Sequence, residues 1–331
     1  MSATTTAGNT SDIAKLEPVA RKSRSLGQEA VQRLFRNRAS IIGMIIIGFF
    51  TILVIFAPQI APYNPLEFHS GNDYLPPAWV ETAGNGKHGN PAFLLGTDTL
   101  GRDVLSRVIY GARISMIVGF IPTAIILVFG TTIGMLAGFL GGRVDNLLMR
   151  FTDIMYGFPD LLFFIAVLVA LRDTWIGSLW NGLFLLFLAL ALVNWVGVAR
   201  IVRGQVLSLK EKEFIEAARC IGAKPKQIMF RHLLPNSLGP IVVVAAFTIP
   251  GLIITEAILG YLGLGLRPAT DPTSFFITSW GVLLLEGQTA INAQPWMLLA
   301  PAICVALVVL AFTFLGDGLR DALDPRMRGT K

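Results

Sequence analysis

Charge, cysteine and histidine are all scarce in this chain. Only 15% of its 331 residues are Asp, Glu, Lys or Arg, and 53% are hydrophobic. An ordinary soluble domain carries about 25% charged residues, so the deficit excludes a conventional globule and points to a protein of the bilayer. Two cysteines, Cys220 and Cys304, are too few for a disulfide framework, and two free thiols are expected. Three histidines, His69, His88 and His232, are too scattered for a zinc-type cluster. No GxxxxGKS or GxxxxGKT run occurs, so the chain has no phosphate loop and is not expected to hydrolyse ATP. Neither paired acids nor a nucleophile–base pair falls within an apolar stretch, which argues against an intramembrane enzyme.

What the chain has instead is long apolar runs. Six are long enough to cross a bilayer, which takes roughly 17–25 residues. They fall at Ser40–Ala57, Ile114–Phe139, Ile154–Leu171, Ile176–Ala199, Leu238–Leu262 and Trp296–Leu315. The expected organisation is a tail over 1–39, a first transmembrane helix over 40–57 and an external loop over 58–111. A five-helix core follows over 112–316, with a polar loop at 200–237 and a second tail at 317–331. No apolar segment with a small-residue cleavage site opens the chain, so no cleaved signal peptide is expected. Leu26 to Arg36 reads as an amphipathic surface helix.

The formal charge of +6 matters through its distribution, and it implies no nucleic-acid partner. With the N-terminus inside, 21 of the 27 Lys and Arg residues fall in inside segments. The positive-inside rule then places both termini and the loop at 200–237 in the cytoplasm.

Within that loop, Ser208 to Pro235 forms a charge-rich island between apolar runs. Phe214, Ala217, Ala218 and Ile221 recur at i, i+3, i+4 and i+7, one face of an amphipathic helix. Ser208 and Glu211 read as a capping box that starts it. Gly222 supplies a left-handed stop, and Pro225 opens a second short helix that should end before Pro235. Glu216 points away from the apolar face, free to meet a partner or to pair with Lys212 or Arg219.

Glu216-Ala217-Ala218, Gly222 and Leu234-Pro235 resemble the EAA loop of binding-protein-dependent ABC importer permeases. His232 stands where many members carry Ile, and is similar to the peptide and nickel branch. Leu95 to Ser115 resembles the entry to the second span of dipeptide and oligopeptide permeases. Asp145–Asp153, Glu256–Gly265, Trp280-Gly281 and Gly316–Arg326 match the same branch.

The resemblance implies an all-α polytopic protein of the type I ABC importer permease fold. It implies a second permease chain, two cytoplasmic ATPase subunits that bind ATP and Mg, and an external solute-binding protein, in a bacterial or archaeal plasma membrane. Di- or oligopeptides are the implied substrate, with nickel, glutathione or another small solute as alternatives. It assigns ATPase coupling to Phe214, Glu216, Ala217, Ala218, Ile221, Gly222, Leu234 and Pro235. A passive six-span channel would explain the spans but not this loop.

Four smaller expectations concern the spans. Asp98 or Thr99 caps a short helix, on which Asp103 and Arg107 pair four residues apart. Gly130, Gly134 and Gly138 form a small-residue stripe, within the subunit or across a dimer. Pro250-Gly251 should kink or unwind the fifth span. Glu256 should reach water or a neighbouring helix.

Overall fold

A computed structural model describes residues 26–83, 86–271 and 274–323, and these are helical apart from loops and one isolated bridge between Thr97 and Asp103. The basic residues Lys15, Arg21, Lys22 and Arg24, and Asp324-Pro325-Arg326 of the closing string, lie outside the described residues.

The amphipathic stretch forms α1 (Leu26–Leu34), and Asn37 caps α2 (Arg38–Ile55) by accepting from the Ala39 and Ser40 N–H groups. A single turn, α3 (Ala57–Ile60), leads into the long loop. The second span, α4 (Val104–Leu140), starts ten residues before Ile114. No separate short helix capped by Asp98 or Thr99 precedes it. Asp103 is the cap, its carboxylate 2.7 Å from the Ser106 N–H and 2.6 Å from Oγ. With that carboxylate engaged, Arg107 turns to Asp98 and Glu286, and the expected Asp103–Arg107 pair does not form.

The third span is broken. α5 (Gly142–Tyr156) and α6 (Asp160–Leu171) meet at 82° across Gly157-Phe158-Pro159, where Pro159 is held extended. The next span opens with α7 (Trp175–Ser178), turns through left-handed Trp180 and Asn181, and runs on as α8 (Leu183–Leu209). After α9 (Glu213–Cys220), α10 (Pro225–Ile228) passes through a π turn at Met229–Leu233 into α11 (Leu234–Tyr261). The helix α12 (Trp280–Thr289) occupies what reads from sequence as an external loop, and α13 (Trp296–Leu323) continues eight residues past Leu315. Five stretches are long and apolar enough to cross a membrane, or six with the bent α5–α6 pair taken as one span.

The glycine stripe packs within the chain. A Cβ on Gly130, Gly134 or Gly138 would come within 3 Å of Val198, the Ala199 carbonyl and Val206, all on α8. Glycine therefore lets α4 and α8 lie backbone to backbone. α11 stays helical through both Pro240 and Pro250, with no unwinding at Pro250-Gly251. Glu256 reaches a neighbour, not water: it is buried, and its Oε2 accepts from Ser115 Oγ of α4 at 2.9 Å. Ser115 Oγ also accepts the Trp280 N–H at 3.2 Å, which ties α12 to the same node. Gly318 sits against Ser40 and Leu34, where the end of α13 meets the start of α2.

Candidate functional site

α9 follows α8, whose last turns are held to α5 and to the end of α4 by bonded charges. Arg203 of α8 forks onto Asp145 of α5 at 2.5 and 2.7 Å, Arg200 reaches Asp153 at 2.7 Å, and Lys210 Nζ donates to the Gly138 carbonyl at 3.2 Å. The helix starts later than the capping box implies. Ile201, Val202, Val206 and Leu209 carry α8 past Ser208, so Ser208 lies in its last turn and Lys212 takes the N-cap position without a side-chain cap. Glu213 and Glu216 fall in the first turn of α9 and Arg219 in the last, the arrangement that suits the helix dipole.

The apolar stripe divides between two faces. Ile215 and Ala218 are buried, packed into the cluster that includes Val202, Val206, Ile228 and Leu233. Phe214, Ala217 and Ile221 face away, Phe214 42% and Ile221 86% exposed. Ala218 thus serves as an anchor inside the chain and does not share the outward face. Ile215, which lies one residue off the stripe, is the anchor that periodicity alone passed over. Glu216 is exposed and makes no ion pair among the described residues, with Lys212 and Arg219 included.

Gly222 has φ +80°, and the turn there is a full Schellman motif. Its own N–H bonds the Arg219 carbonyl at 2.9 Å, and the Ala223 N–H bonds the Ala218 carbonyl at 3.0 Å. Pro225 opens α10 as its first residue. Pro235, however, does not end that helix. The Leu234 N–H bonds back to the Met229 carbonyl across the π turn, and Pro235 sits in the first turn of α11. The carbonyls of His232 and Leu233 are taken by Asn236 Nδ2 at 2.7 Å and Ser237 Oγ at 2.9 Å. The island is therefore one short helix plus the stem of a span: Pro225–Tyr261 is 37 continuous helical residues. Leu234 is half-buried and Pro235 exposed on that stem, apart from the outward face of α9.

At the opposite face, four charges close on one another. Asp98 Oδ2 accepts from Arg102 Nε and from Arg107, each at 2.6 Å. Arg107 also grips both oxygens of Glu286 on α12, and Arg102 stands 3.5 Å from the same carboxylate. Next to this group, burial pushes the Asp103 carboxyl above its ordinary range, against the pull of the Ser106 hydrogen bonds. Glu286 lies 179 residues from Arg107, and nothing in the local sequence signals the pairing.

Comparison with known proteins follows the same lines. Residues 130–329 match the family described as binding-protein-dependent transport system inner membrane component, and residues 25–77 match the N-terminal TM domain of oligopeptide transport permease C. The oligopeptide transport system permease protein OppC of Haemophilus influenzae is 40% identical over 95% of this chain and 93% of its own. OppC of Escherichia coli K12 is 40% identical over 93% of each chain. The dipeptide transport system permease protein DppC of Alkalihalophilus pseudofirmus is 40% identical over 91% of this chain and 90% of its own. Among solved structures, an inward-facing form of the MetNI methionine ABC transporter superposes with a TM-score of 0.52 at 20% identity, over 66% of this chain and 97% of that one. That last likeness speaks for the fold alone. With two matched segments in order and about 40% identity over nearly its whole length, this multi-pass, non-enzymatic chain belongs to the binding-protein-dependent transport system inner membrane components, the permease subunits of ABC importers.

Proposed function

We propose that the chain forms half of the translocation pathway of an ATP-driven importer of di- or oligopeptides. A second permease chain supplies the other half, two cytoplasmic subunits bind and hydrolyse ATP with Mg, and an external binding protein delivers the peptide. The termini and α9 face the cytoplasm, in accord with the Lys and Arg asymmetry. The names of the relatives, oligopeptide and dipeptide permeases, support the substrate class.

Coupling runs through the outward face of α9. Phe214, Ala217 and Ile221 enter a groove on the ATPase, with Glu216 beside them for a polar contact at the rim. Ile215 and Ala218 hold the helix from behind, so a push on α9 passes to α8 and α11 with little local give. Gly222 sets its angle. Leu234 and Pro235 act at a distance from the groove, as part of the stem through which the motion enters the membrane.

The observation that carries this reading is Ile221, an aliphatic side chain 86% exposed at the end of a helix whose other face is fully packed. The test replaces it. In Ile221→Asp the ATPase subunits should be lost when the complex is purified in mild detergent, and labelled dipeptide uptake should fall at least about tenfold. Membrane insertion should be unchanged. Retention of the ATPase together with normal uptake would overturn the docking face. Retention with no peptide uptake in the unaltered strain would overturn the substrate.

A further inference from the structure

Arg113 is a buried cation without a counter-ion among the described residues. Its side chain lies on α4, six residues beyond Arg107, and the residue is only 7% exposed. Arg107 meets two carboxylates, but no carboxylate among the described residues comes within 4.0 Å of the Arg113 guanidinium. Its Nε donates to the Val54 carbonyl at 3.3 Å, and its guanidinium carbon stands 4.4 Å from the Phe275 ring centre and 5.4 Å from that of Tyr110. Those rings offer a π face to the cation and no acceptor lone pair, and the terminal N–H groups of the fork make no hydrogen bond among the described residues while remaining open to the surroundings. Guanidinium stays protonated in any protein setting, so the charge cannot be shed.

The position of this cation is fixed by its neighbours. Val54 is the last residue but one of α2, which at 18 residues has the length of a bilayer's hydrocarbon core. Arg113 therefore sits level with the end of that core. The end in question is opposite α9, because Gly138 at the other end of α4 packs on Val206 of α8, whose next residues lead into α9. α2 is also the least enclosed of the five long spans, 17% buried, and presents Ile45, Phe49, Ile52 and Ile55 outward. The site is thus beside lipid, at headgroup depth, with two aromatic rings around a fork-shaped donor.

We infer that Arg113 binds the phosphate of a phospholipid from the leaflet opposite α9. The fork matches a phosphate bidentately, Phe275 and Tyr110 hold the guanidinium plane, and the acyl chains lie along α2. The bound headgroup supplies the charge partner that the described residues do not provide, and it braces α2 against α4 where the Val54 carbonyl already bonds.

The experiment uses the full chain with its co-purifying subunits, delipidated in detergent and followed by thermal unfolding. Dioctanoyl-phosphatidylglycerol should raise the midpoint by about 3 °C or more at saturation. Dioctanoylglycerol, which lacks the phosphate, should not, nor should inorganic phosphate or a dipeptide at the same concentration. In Arg113→Gln the lipid-dependent rise should vanish, and in Arg113→Lys it should be reduced. The Lys variant keeps the test decisive if the Gln variant does not assemble. An equal rise with dioctanoylglycerol would overturn the proposal, as would a full rise in the Lys and Gln variants. A rise with inorganic phosphate or dipeptide that matches the lipid would also overturn it, in favour of a soluble anion site.

Discussion

The two faces of this permease treat charge and apolar surface in opposite ways. Opposite α9, Asp98, Arg102, Arg107 and Glu286 form a neutral quartet that stitches the long loop and the start of α4 to α12. At α9, Glu216 has no ion partner among the described residues, and Phe214 and Ile221 stand in the open. The quartet balances its own charge as folded, while the α9 face is unfinished in a way that a partner would finish. A buried ion pair adds little net stability, but removing one member leaves the other charge desolvated and unmatched. An exposed apolar side chain contributes almost nothing to the isolated chain and becomes valuable on contact. Stability should therefore be concentrated at the quartet, and coupling at α9.

That contrast can be broken most forcefully at Arg107. Arg107→Ala leaves buried Asp98 with Arg102 as its remaining cation and should cost about 2–4 kcal/mol, read as a lower unfolding midpoint in detergent. Glu286→Gln, at a site one-third exposed, should cost clearly less, about 1–2 kcal/mol. Equal losses would mean that the quartet is not organised around Arg107.

The same comparison can be drawn across the width of α9 itself. Ile215→Ala removes a wholly buried side chain and should cost about 2–4 kcal/mol. Ile221→Ala should move the midpoint by no more than about 0.5 kcal/mol, yet weaken ATPase retention. Similar midpoints for the two variants would erase the distinction between anchor and docking face.

A smaller effect is expected at the turn. Gly222→Val forces a β-branched residue to φ +80°, at a local cost of about 1–2 kcal/mol, with nothing within 4 Å to clash. Uptake per ATP hydrolysed should fall while the chain still inserts. Unchanged uptake would show that the angle set at Gly222 is immaterial. The smallest effect belongs to Lys87→Ala, in the exposed pair with Asp73, which should leave the unfolding midpoint where it was.

Much of this was legible in the sequence where one residue type has one physical use. The apolar runs located the five long spans and the apolar half of the bent α5–α6 pair, Gly222 marked the left-handed stop and Pro225 the start of α10. Other features depended on competition between local signals. Ser208 looked like a cap, but the apolar residues of α8 carried the helix past it. Pro235 looked like a stop, but a π turn and two side-chain hydrogen bonds absorbed it. Gly157 and Pro159 signalled a break in the third span that the run of apolar residues beyond them obscured. The remainder was out of reach in principle. The grip of Arg107 on Glu286 and the node of Ser115, Glu256 and Trp280 join residues more than a hundred positions apart, and no local pattern encodes such pairs.

The π turn at Met229–Leu233 also bears on how the chain tolerates changes in length. A π turn holds one residue more than an α turn, so the stem carries a surplus residue at this point. Deleting one residue between Met229 and Leu233 should let the turn relax to α-helix and leave the faces of α10 and α11 in nearly their present phase. The same deletion at Val243 would rotate everything on one side of it by about 100°. Of all positions along the 37-residue stem, the π turn is where a shorter chain should still assemble.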